Sequence, residues 1–160
     1  MAGWRDIAQI CGSAAGALVG LLFVAISIRI NVLTASKEFS SRAAQILILF
    51  ATVLVLSILL AIPGQSLRIF GVETLCIVVL FASGTALLER RAKRDAHPLA
   101  ASHLLDVVAP RTSIFLILCV SGGLLVSGVH GGLYVLVAGM LLALVGGLTS
   151  SWLFLTNVSE

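Results

Sequence analysis

Long uncharged runs alternate with short charged ones along this chain. Ile7 to Ile28 carries no charge, and Ala43 to Ile62 is a second such run, closed by Pro63-Gly64 and the polar Gln65-Ser66. A third runs from about Ile69 to Leu88 with one interruption, the carboxylate of Glu73, and ends at the charged stretch Glu89 to Asp95. From Thr112 to Ser159 there is no formal charge at all. One helix of that length would reach about 70 Å, far beyond a hydrocarbon core of about 30 Å, so the segment must fold back. The turn is expected at Ser127 to Gly132, where His130 and two glycines stand together. Neither VLVLSILLAI nor LVAGMLLALVGGL alternates as a barrel strand would. In lipid the remaining way to satisfy every backbone amide is the helix.

The pattern therefore predicts an all-α integral membrane protein, a single transmembrane helical domain over residues 1–160. Its five transmembrane helices fall at about 7–28, 43–62, 69–88, 112–126 and 133–155.

Composition agrees. The chain has 160 residues, 59% hydrophobic and 11% charged. A soluble domain carries about 25% charged residues, so the charge here is too sparse to coat a water-facing surface. The net charge of +3 is not a nucleic-acid signature. It reports topology, because Arg29, Lys37, Arg42, Arg90, Arg91, Lys93, Arg94 and Arg111 all fall in the first and third loops, leaving Arg5 and Arg68 on the other side. The positive-inside rule then places the N-terminus outside and the C-terminus in the cytosol. The first apolar run, with Asp6 before it, is too long for a signal core and is expected to be retained.

In the third loop, Pro98 and Pro110 bracket a stretch whose leucines and valines suit a short amphipathic helix on the inner membrane surface. His97, His103 and Asp106 read as its solvated face in preference to a metal site. Cys11, Cys76 and Cys119 lie in different runs without metal-ligand spacing and read as small apolar residues. No metal, cofactor or catalytic residue is expected. There is no nucleophile–base set, phosphate loop or paired carboxylate, so an enzyme is not expected either.

Within lipid, helices associate by close packing of small residues. Gly12, Gly16 and Gly20 repeat at intervals of four in the first span, and Gly139, Ala143 and Gly147 do so in the fifth. Cys119, Gly123 and Ser127 offer a similar stripe in the fourth. The first, fourth and fifth helices are expected to pack closely and the bulky second to face lipid. The glycine stripes join helices within one chain or join subunits; self-association into a homo-oligomer fits either way.

Glu73 is the main candidate for chemistry. The residues from Thr74 to Leu88 cover about 22 Å, so Glu73 lies inside the outer part of its span, where an acid is costly. Two readings fit. Locally, the start of the helix and Arg68 stabilise the carboxylate. Functionally, Glu73 joins His130, Gln65 and Tyr134 in a polar outer site, or forms a carboxylate ring at the mouth of an oligomeric pore. Trp4, Trp152 and Tyr134 read as interfacial anchors.

The segments GLLFVAISI, PGQS, GVE and GGLYVLVAGMLLALVGGL resemble a family of small, largely uncharacterised actinobacterial multi-pass membrane proteins, sometimes labelled modulators of the FtsH protease. The resemblance covers nearly the whole chain. It implies an accessory role at a membrane protease, with no catalytic residues to carry across. The function expected first from the sequence is a small ion channel or permeation pathway formed by a homo-oligomer, with Glu73 at its outer mouth; the alternative is a non-catalytic accessory subunit bound to a partner membrane protein.

Overall fold

The structure, a computed structural model, describes residues 2–28, 37–95 and 101–157. Five helices follow one another: α1 (Ala2–Ile28), α2 (Lys37–Ala61), α3 (Leu67–Asp95), α4 (Ala101–Val126) and α5 (Gly131–Asn157). Four of them are long and apolar enough to cross a membrane, each over 19 to 25 residues. The apolar described part of α4, Thr112–Val126, is shorter.

Helices α2 to α5 form a closed ring in which each packs against its two ring neighbours, and α1 lies outside it against α2, touching α5 along one edge. No contact joins α1 to α4 among the described residues. The expected grouping of the first, fourth and fifth helices is therefore corrected: α4 and α5 do pack, while α1 packs chiefly on α2. The expectation that the second helix faces lipid is overturned as well. Of its apolar window 56% is buried, against 17% for α1. The reason is side-chain volume. Leu49, Val53 and Leu56 of α2 join Leu118 of α4 and Leu136 and Met140 of α5 in one buried core, and Phe50 and Ile46 of α2 join Leu22 of α1 in a second. A bulky helix at the centre of a bundle needs small residues on its neighbours, and the glycines stand there.

The glycine stripes divide by what they meet. A Cβ on Gly12 would lie 3.1 Å from that of Ser57, and one on Gly16 would lie 3.5 Å from a Leu54 methyl, so both face α2. Gly20 has nothing within 4 Å. In α5, Gly139 abuts Leu118 of α4, Ala143 is fully buried, and Gly147 lies against the Phe50 ring of α2. On α4 the expected stripe is displaced by one residue: Gly123 faces open space, and Gly122 makes the close approach, to Gly71 and Leu75 of α3.

The short amphipathic helix expected in the third loop is not a separate element. The backbone helix of α4 runs without a break from Ala101 through Pro110 to Val126. Pro98 and His97 lie outside the described residues. Proline removes one hydrogen bond inside a helix. A break after Pro110 would instead end the apolar helix after about 22 Å and leave several backbone groups bare beside hydrocarbon.

The α4–α5 turn is a Schellman closure, with Gly128 N–H donating to Leu125 C=O (3.0 Å) and Val129 N–H to Leu124 C=O (3.0 Å). It requires Gly128 at φ 81°. Gly131 and Gly132, expected in the turn, open α5 instead. Gly132 is small because Leu125 and Leu124 pack within about 3 Å of its would-be Cβ.

Candidate functional site

The α2–α3 turn, residues 62–66, builds the polar end of the bundle. Gly64 turns the chain at φ 76°. Ser66 then caps α3: its hydroxyl accepts from Ile69 N–H at 3.3 Å and its carbonyl from Phe70 N–H at 3.1 Å. This leaves Gln65 beside the second turn of α3, where its amide donates to the carboxylate of Glu73. Both side chains are half-buried. The favourable field of a helix terminus fades beyond the first turn. Gln65, fixed by the turn, is therefore the main local partner of the acid. Arg68 is exposed.

His130 and Tyr134 do not join this pair. His130 is exposed in the α4–α5 turn. Tyr134, 71% exposed, meets Trp4 edge to face with ring centroids 5.0 Å apart. That aromatic pair ties the start of α1 to the start of α5. Sequence reading placed both rings at the same level but gave no signal that they touch, because their separation in the chain carries no periodicity.

Between these features lies an open cavity of about 160 Å³. Arg5 of α1, Leu60 and Ile62 at the end of α2, Gln65, Phe70 of α3 and Leu133 of α5 line it. The starts of α1, α3 and α5 and the ends of α2 and α4 thus share one end of the bundle, as consecutive antiparallel helices require.

The interior offers little polarity. Thr52, Thr74, Thr85 and Ser121 are buried, and each donates to a carbonyl one turn back on its own helix at 2.8 Å. Ser57, 2% exposed, has no hydrogen-bond partner for its hydroxyl and lies where α1 comes closest, opposite Gly12. Among the described residues, no three His, Cys, Asp or Glu side chains are grouped so as to hold a metal ion. Comparison with models of protein families, with curated proteins and with solved structures finds no match to the chain.

Proposed function

We propose that the protein is a non-catalytic, five-span protein of the bacterial cytoplasmic membrane that acts by lateral helix association, as an accessory subunit of a larger membrane complex. The observation that carries this is the free face of α1. Ser13, Ala17 and Gly20 form a small-residue stripe on its exposed side, flanked by Leu21 and Val24. Such stripes let a neighbouring helix approach closely in lipid. The family resemblance, which implies a membrane protease as the larger complex, points the same way. A second copy of this chain would use the same chemistry.

A homo-oligomeric channel is the second reading. One observation favours it: half-buried Glu73 borders the exposed face of α3 that Ile69, Val72 and Val79 form. The ring of α2 to α5 is filled by side chains, so a permeation path would have to run between copies.

One experiment separates the two. Ala17→Leu and Gly20→Leu should leave the thermal stability of the purified protein unchanged while abolishing copurification of its membrane partner. Purified protein in liposomes should pass no more cations than empty vesicles. If it conducts, and Glu73→Gln alters its selectivity, the channel reading replaces the accessory one.

The same placement puts the Gln65 end outside and the basic loops in the cytosol. Reporter fusions after Gln65 and Gly131 are expected to read external, and those after Arg94 and Glu160 cytosolic. The opposite pattern would reverse the orientation and move Glu73 to the inner leaflet.

A further inference from the structure

The cavity at the Gln65 end combines three properties. Its floor is apolar, formed by Leu60, Phe70 and Leu133. Arg5 stands on its wall, exposed, and no ion pair engages it among the described residues. Its volume, about 160 Å³, is well below the roughly 300 Å³ at which sites for whole drug-sized ligands begin. A cavity that is small, open and half apolar suits part of a molecule whose remainder lies outside it.

We propose that this cavity is a phospholipid site. The lipid phosphate meets the Arg5 guanidinium, and the glycerol and first acyl carbons cover Leu60, Phe70 and Leu133. Location supports this occupant. The cavity lies at the end of the spans beside the Trp4–Tyr134 pair, the aromatic amphiphiles that settle at the headgroup level. Guanidinium matches phosphate geometry with two parallel N–H donors and sheds its hydration more readily than an ammonium does. Gln65, which also lines the cavity, adds polarity. Its amide nitrogen donates to Glu73, which leaves its carbonyl oxygen as an acceptor. The site rests on the helices lying in a bilayer, as proposed above, and not on which end faces outward.

The full-length protein, extracted in detergent, is incubated with dioleoyl phosphatidic acid, and the lipid retained is counted by native mass spectrometry. One lipid per chain is expected to persist. Arg5→Gln should weaken its retention about tenfold or more. Ile62→Trp, at the cavity rim, should weaken it by filling the space. Arg90→Gln, exposed at the opposite end of the bundle, should leave it unchanged. Equal retention by wild type and Arg5→Gln would overturn the site, as would equal retention of dioleoylglycerol, which has the same chains and no phosphate. Displacement by inorganic phosphate alone would make it a free-anion site and overturn the lipid assignment. Failure of the bilayer placement itself would show separately, as protein recovered from cells without detergent.

Discussion

Gly71→Ala is expected to destabilise the bundle by about 3 kcal/mol or more, the upper end of what overpacking costs. A Cβ built on Gly71 would lie 2.6 Å from the backbone nitrogen of Val126, 2.9 Å from Leu125 Cβ and 3.0 Å from the Gly122 carbonyl oxygen. None of these is the far end of a flexible side chain. Two of the three are backbone, so relief requires moving α3 away from α4 along its length. The gain in helix propensity from glycine to alanine, about 1 kcal/mol, does not offset this. The control is one residue from the Gly71 partner. Gly123 has nothing within 4 Å of its would-be Cβ, so Gly123→Ala should be neutral or slightly stabilising. Unfolding of purified protein in mixed micelles of increasing SDS content measures both. Should Gly123→Ala be the harmful change and Gly71→Ala the harmless one, the register of α4 against α3 is wrong by one residue.

That one-residue difference shows where sequence reading stops. The lengths of the uncharged runs, the Pro63–Gly64 turn and the antiparallel order were legible because each follows from local chemistry. A bilayer demands about 20 apolar residues, and charges mark the ends. Which face of a helix meets which neighbour is a different kind of information. Gly122 and Gly123 are adjacent and equally small, yet only Gly122 is buried. Choosing between them requires knowing that Leu75 and Gly71 lie opposite, and no spacing within α4 encodes that. The apolar faces of α2 misled for a related reason. A helix that is hydrophobic all round is either lipid-facing or central, and composition does not distinguish the two. What decides is the size of its neighbours' side chains. The small faces of α1 and α5 at Gly12 and Gly147 made room for Ser57 and Phe50.

The candidate site was legible in its residues and not in its pairing. An acid inside an apolar run is visible from composition alone, and Gln65 stood out as polar beside it. The partner could be chosen only once the turn was built, because Arg68 is nearer in sequence and carries the complementary charge. Ser66 starts α3 with its cap, which leaves Gln65 on the side of Glu73. The cavity under Arg5 was invisible for a simpler reason: its walls come from α1, α2, α3 and α5, and nothing local links them.

The contact between Phe50 and Gly147 gives the second large effect. Phe50 is 1% exposed and packs with Leu22 of α1 and Ile46, and a Cβ on Gly147 would fall 2.7 Å from its Cζ atom. Here α2 meets both α1 and α5, so a void opened at Phe50 lies where three helices converge. Phe50→Ala is expected to cost about 3 kcal/mol or more, since the lost packing is only partly recovered by collapse. Gly147→Ala should cost about 1–3 kcal/mol, because the added methyl forces the ring off its seat. The informative variant combines alanine at 147 with Phe50→Leu, which withdraws the ring edge from the methyl. If the two positions touch, the double variant is less destabilised than the sum of the single variants, with a coupling of about 1 kcal/mol or more. Strict additivity would mean that α5 does not lie on α2 at this level. The ring of four helices would then be open between α2 and α5, and the case against a path through the single chain would lose its basis.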